Sequence, residues 1–357
     1  MRFIGSKRAI LDDIYGLIIS KGIKAKTLFD IFSGTTCVAI YFKKKGYNVI
    51  SNDLLYFSYV LQKAYIENNV NPKFSKLTQH LKSKLKIQHL GQFPYLDTVI
   101  SFLNDLNGIE GFFYKNYSDE GTKNSNINRK YLTGTNAKKI DAMRIQIEKW
   151  NDSGLLDENE YYILVCAAIE AVPFVSNISG TYGAFLKDWD RRSFKNLTLE
   201  SPQLIIAKGK YKAYNEDGVE LARNIDCDIL YIDPPYNTRQ YLPNYHLLET
   251  VARYDSPNIK GVTGLRSYEN EKSQFCNRKT AIEALSKIAR YAQYKHLIFS
   301  YNDEGIMNHE DLAKALSAQG KVEKHEVRYR RFKNHSKGKN SDKKHVNELL
   351  YYVKAGK

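Results

Sequence analysis

The residues Asp233-Pro234-Pro235-Tyr236 follow directly on an apolar run, Ile229, Leu230, Tyr231 and Ile232, that reads as a buried strand. Proline has no N–H, so two prolines beside a carboxylate gather hydrogen-bond acceptors in a rigid stretch with no competing donors. Such a pocket suits an exocyclic amine. The amine offers two N–H donors, and engaging both turns its nitrogen lone pair toward an electrophile. Tyr236 adds a flat face on which a base stacks. A turn that merely ends a strand is the plainer reading of the same four residues.

Ligands in an open α/β sheet bind past the carboxyl ends of strands, where loops and helix N-termini converge. Three such ends are legible, at Phe32, Asn52 and Ile232. After the first comes "FSGTT", a small-residue turn that lets backbone approach a ligand. After the second comes Asp53, spaced from that turn as an acceptor of ribose hydroxyls is. The pair suggests a nucleoside-containing cofactor, although a glycine turn before a helix also serves as a tight connection.

The elements that must position these residues follow from hydrophobic periodicity. Ile10, Leu11, Ile14, Leu17 and Ile18 predict a helix after a Gly-Ser-Lys turn. Residues 28–32 predict a strand, 33–36 a turn, then a helix ending at Gly46 and a second strand over 48–52: a βαβ unit. From Asp228 the same rhythm returns, with a strand to Ile232, helices over 245–254, 280–294 and 310–319, a strand over 296–300, and strand candidates "VEKHEVRYRRF" and "VNELLYYV". Between them the rhythm breaks into basic helices and turn-rich segments. The expected organisation is a core of residues 1–69 and 206–357 around an insertion over 70–205 with its own small core.

The chain has 357 residues, 43% of them apolar, ample for a packed core. Its net charge of +15 points to a polyanion such as nucleic acid or an acidic membrane face. No run of 18 apolar residues occurs and the N-terminus lacks a secretory core, so a cytoplasmic protein without a membrane partner is expected. The cysteines at 37, 166, 227 and 276 form no ligand or disulfide spacing, so no metal is expected.

Asp233-Pro234-Pro235-Tyr236, preceded by "FSGT" and an N-terminal "GSK" turn, resembles the DPPY-type N6-adenine DNA methyltransferases of the alpha (Dam-like) group. The resemblance covers roughly residues 1–68 and 205–355. It implies a Rossmann-like domain using S-adenosylmethionine, with a mainly helical target-recognition insertion, acting on a flipped adenine in double-stranded DNA. It also implies a modification enzyme that has a cognate restriction endonuclease as a further partner. By the same resemblance Asp233, Pro234, Pro235 and Tyr236 are the catalytic tetrapeptide. Lys7 is near the cofactor's methionine carboxylate; Asp30, Phe32, Ser33 and Gly34 form the cofactor turn; Asp53 meets the ribose; and Asp217 meets the adenine edge, with Asp233 also beside the cofactor. The family's turn usually carries a second glycine where this chain has Thr36.

Residues 321–345 hold ten Lys or Arg against three acids, which makes Lys337, Lys339, Lys343 and Lys344 candidate phosphate contacts. "SNISGTYGAFLK" in the insertion adds Tyr182 and Lys187, and Arg239 follows the catalytic turn. "FSYNDEG" ends a strand on the same sheet edge and offers Tyr301 or Asn302 as a lining residue of the pocket. An RNA adenine methyltransferase, a protein glutamine methyltransferase and a non-catalytic DNA-binding regulator on the same fold are the competing readings. The leading asparagine usual for the glutamine enzymes is absent here.

Overall fold

In the computed structural model the described residues are 4–85, 95–303, 305–330 and 345–356. They fall into two compact units, a core of residues up to 67 with 207–242 and 269 onward, and a second unit of 68–206 with 243–268. The sequence reading assigned all of 206–357 to the core. Residues 243–268 cluster instead with the insertion, because most of helix Tyr241–Arg253 packs its apolar side there.

The strands are β1 (Thr27–Asp30), β2 (Asn48–Asn52), β3 (Tyr211–Tyr214), β4 (Asp226–Ile232), β5 (Ile259–Lys260), β6 (Leu265–Arg266), β7 (Gln293–Asn302), β8 (Val322–Arg330) and β9 (His345–Lys354). Seven form the core sheet in the order β3-β2-β1-β4-β7-β9-β8, with β5 and β6 paired separately in the second unit. All neighbours in the core sheet are parallel except those of β9, which runs against both β7 and β8. This is the expected Rossmann-like α/β class. The central strands are buried on both faces, as helix-covered parallel strands must be: Leu28, Phe29, Ile229, Leu230, Leu297 and Phe299 are all essentially inaccessible.

Strand order reverses at β1. Its chain continues to β2 on one side, while β4 pairs on its other side, and a crevice opens past the carboxyl ends at such a point. The helix after β1, Cys37–Lys44, ends on Gly46 at φ +86°, a left-handed position that lets the N–H groups of Gly46 and Tyr47 bond back to Lys43 and Phe42. Strand β3 was not legible as a strand. It is four residues long, only Ala213 is buried, and it is an edge held by parallel pairing to β2.

The second unit contains helices Ser75–Leu85, Tyr95–Asp105, Phe112–Tyr117, Gly134–Asp152 and Glu158–Val175. Asp157 and Glu160 form a reciprocal capping box at the start of the last of these. Tyr182, expected at a nucleic-acid surface, lies inside this unit's core with 2% of its surface exposed. Its hydroxyl is 3.2 Å from the Ser176 hydroxyl, and its carbonyl accepts from the Tyr131 hydroxyl at 2.7 Å. A tyrosine whose polar tip finds a partner is as well suited to a core as to a groove, and here the ring packs beside Tyr131, whose own ring meets His246. None of the described helices is long and apolar enough to cross a membrane.

Candidate active site

A cleft enclosing about 1000 Å³ of empty space, open solvent at its mouth included, lies in the core unit at the carboxyl ends of β1, β2 and β4. Its walls bring together Lys7, Asp30, Phe32, Ser33, Gly34, Asp53, Asp217 and the whole of Asp233-Pro234-Pro235-Tyr236. Five of the lining side chains are acidic (those of Asp30, Asp53, Asp217, Asp233 and Glu271), whereas Lys7 is the one lining lysine or arginine among the described residues. The local charge of the cleft is thus opposite in sign to the net charge of +15 of the whole chain.

The parallel register places Asp30 opposite Tyr231, two residues before Asp233, so two carboxylates emerge side by side. Asp30 is 1% exposed. One oxygen accepts from the Ser33 hydroxyl at 3.1 Å, and the other, Oδ1, has no hydrogen-bond partner among the described residues. Burial raises its carboxyl to about 8 against the Ser33 bond, and Asp233 and Asp53 add to the rise. An orphaned buried acceptor at a cleft wall calls for a donor from the ligand, and a cation relieves it best.

Asp53 braces the turn after β1. Its Oδ2 accepts from the Gly34 amide at 2.7 Å and its Oδ1 from Leu55 N–H at 2.9 Å. Asp217 caps the short helix Gly218–Leu221 through Val219 N–H at 2.8 Å. Its loop is set by Asn52, which the sequence marks only as the end of a strand. The Asn52 amide donates to the carbonyls of Ile31 and Glu216 and accepts from Glu216 N–H. Phe32 meets Phe275 edge to face at 5.1 Å, forming an aromatic wall.

Lys7 differs most from expectation. Its ammonium is 4% exposed and bonds Asp233 Oδ1 at 2.7 Å, Glu348 Oε1 at 3.2 Å and the Gly5 carbonyl at 3.1 Å, so all three of its donors are engaged. It is the ionic partner of the tetrapeptide's carboxylate. Burial opposes its charge, but Asp233 and Glu348 together hold it protonated well above the usual lysine range. The Asp233 carboxyl is pushed up by burial, pulled down by Lys7 and pushed up again by Glu348, and ends at about 7. Gly5, at φ +76°, makes the turn, and a Cβ there would stand 3.2 Å from the Tyr236 ring. Glu348 was missed by sequence reasoning. It is the acid directly before the apolar run "LLYYV" of β9, 1% exposed, and it accepts from the Ser300 hydroxyl at 2.6 Å.

Thr36 adopts φ +61°, the left-handed conformation natural to the glycine usual at this place, and is fully buried. A left-handed L-residue costs about 1–2 kcal/mol. Glycine would relieve that strain, lose about 0.5–1 kcal/mol to unfolded-chain entropy and forfeit a small buried side chain. Thr36→Gly is therefore expected to leave stability within about 1 kcal/mol of wild type by the same balance, measured by urea denaturation; a loss of several kcal/mol would mean that the Thr36 side chain carries the turn.

Arg239 and Lys187 are exposed, as phosphate contacts require, whereas Tyr301 and Asn302 are buried away from the cleft wall, with the Tyr301 hydroxyl accepting from Met307 N–H. Lys337, Lys339, Lys343 and Lys344 lie outside the described residues.

The chain is 42% identical over 357 residues to modification methylase StsI of Streptococcus sanguinis and 41% identical over 360 residues to type II methyltransferase M.FokI of Planomicrobium okeanokoites. Each alignment covers 99% of this chain and 52% of the relative, so the chain spans about half the length of those two proteins. Type II methyltransferase M.NlaIII of Neisseria lactamica is 35% identical over 93% of this chain and 92% of its own length. Residues 3–315, which include the turn after β1, the insertion and the tetrapeptide in their order along this chain, match one family pattern, and the chain belongs to the D12 class N6 adenine-specific DNA methyltransferase family.

Proposed function

We propose that the protein transfers a methyl group from S-adenosylmethionine to the N6 amine of an adenine flipped out of duplex DNA, as the modification enzyme of a restriction system. The observation that carries this reading is the shared wall of one acidic cleft, where Asp233 stands beside Asp30, Asp53 and Asp217. When bound, the cofactor supplies an electrophilic methyl carbon on a positively charged sulfur. Asp30 Oδ1 receives a cationic N–H of the methionine portion or faces the sulfonium. Asp53 takes the ribose hydroxyls, Asp217 takes the adenine edge, and Phe32 with Phe275 flanks the ring. Asp233 and the Pro234 carbonyl accept the two N–H groups of the target amine, favouring a pyramidal nitrogen and stabilising the positive charge that develops on it. Tyr236 stacks on the flipped base, whose extraction costs a few kcal/mol. A cognate endonuclease is the partner that such a role requires.

The test is incubation with labelled cofactor and either duplex DNA or RNA, followed by nucleoside analysis. Label in N6-methyladenine of DNA is expected; label confined to RNA, or none with intact cofactor binding, would replace this reading by one of its competitors. Cofactor binding also has a predicted pH course. A carboxyl raised to about 8 is mostly protonated at pH 6 and must ionise to hold a cation, so affinity rises through pH 8 and protons are released on binding. Calorimetry in buffers of different ionisation enthalpy reads this directly. Asp30→Asn should abolish the proton release and weaken binding at pH 8 by about tenfold or more, the equivalent of about 1.4 kcal/mol.

A further inference from the structure

We infer that Glu348 is a positioning residue that shares the Lys7 ammonium with Asp233 and thereby keeps Asp233 basic enough to take the proton released by the methylated amine. The inference rests on the function proposed above.

Strand β9 is the antiparallel member of the core sheet, so it enters from the carboxyl edge and pairs Glu348 with Asn302, at the end of the sheet where β4 delivers Asp233. Lys7 Nζ then sits between two carboxylates, 2.7 Å from Asp233 Oδ1 and 3.2 Å from Glu348 Oε1. The group of three carries one cation and two anions, in a region where Lys7 is 4%, Glu348 1% and Asp233 17% exposed. Were Lys7 paired with Asp233 alone, the pair would be neutral and the carboxylate fully compensated, which makes a poor acceptor of further positive charge. The second carboxylate draws part of the ammonium away. Ser300 in turn donates to the same Glu348 oxygen at 2.6 Å and sets how much of that oxygen remains for Lys7.

In the reaction a C–N bond forms as the C–S bond breaks, its electron pair staying on sulfur, and the amine nitrogen becomes cationic. The N–H proton then passes to Asp233, whose carboxylate becomes neutral, and the nitrogen recovers its lone pair. Release of that proton to solvent resets the site. The other titratable groups acting on Asp233 and its partners are Asp30, Tyr231, Tyr236 and Cys37, none of which bridges to it through a shared cation. Burial and the Glu348 charge raise Asp233 while Lys7 lowers it, so losing the Glu348 charge lowers it.

The experiment follows the Asp233 carboxyl by carbon NMR in the ligand-free protein labelled at aspartate, with Asp233→Asn assigning the resonance, alongside the pH profile of single-turnover methylation. In Glu348→Gln the Asp233 midpoint and the acid limb of the profile should both fall by on the order of one unit, and the plateau rate by about tenfold, as expected when a general base is weakened. Glu348→Asp, which keeps the charge, should restore most of both. Ser300→Ala, which frees the Glu348 oxygen for Lys7, should move the midpoint the other way, and it serves if Glu348→Gln does not fold. Unmoved midpoints in the folded variants would overturn the inference and leave Glu348 a packing residue. Failure of the functional reading is separable, because it would show as no label in N6-methyladenine of DNA with the wild-type protein, whereas the Asp233 midpoint is read in the ligand-free protein.

Discussion

Asp233→Asn is expected to lower single-turnover methyl transfer by at least about 10³-fold, combining loss of a charged acceptor in the transition state with loss of the proton acceptor, each worth about 10²-fold or more. Cofactor affinity should change by only a few-fold, since Asp30, Asp53 and Asp217 remain on the wall. The fold should survive as well: Lys7 keeps Glu348 and the Gly5 carbonyl when the Asp233 charge is removed. Asparagine preserves shape but puts a donor amide where two acceptors are needed, so it opposes the incoming amine as well as losing the charge. Equilibrium dialysis with labelled cofactor and rapid-quench methylation measure the two quantities. Joint loss of binding and transfer would indicate misfolding, and retention of transfer above about 1% of wild type, far more than a lost acceptor and base allow, would remove Asp233 from the chemistry.

Lys7→Met should have the largest effect on stability. Deleting one member of a buried ionic cluster leaves the others uncompensated, at a cost of about 3–5 kcal/mol. Here the abandoned groups are carboxyls, which fixes the sign with pH. Burial already raises the Asp233 carboxyl and Lys7 opposes that rise, so without the ammonium it is raised further, the folded protein binds more protons than the unfolded chain above about pH 4, and stability falls as pH rises. The destabilisation should therefore be smaller near pH 5, where the Asp233 carboxyl takes up its proton, than at pH 8. Thermal unfolding of variant and wild type at those two pH values decides the matter. A pH-independent loss would mean that Lys7 contributes packing of its stem rather than charge.

The sequence by itself determined whatever is encoded over short stretches. The βαβ unit ending at Asp53 was legible because its periodicities, its small-residue turn and Gly46 all lie within about 25 residues, and the structure returns β2 over 48–52 as read. Asp233-Pro234-Pro235-Tyr236 was legible because two adjacent prolines leave few conformations and no donors. The tertiary structure alone decided which distant residues share an environment. Lys7 and Glu348 stand at opposite ends of the chain, and only the antiparallel entry of β9 brings them to one ammonium. The 243–268 segment looks like core in periodicity yet packs with the insertion, and the Tyr182 ring, suited in composition to either a groove or a core, is buried because Ser176 satisfies its hydroxyl. Thr36 likewise takes a backbone conformation that its β-branched side chain disfavours, imposed by the strand and helix on either side of it. Side-chain type limits what chemistry a residue can perform; burial and long-range neighbours set its charge and partner, and those depend on how the whole sheet closes.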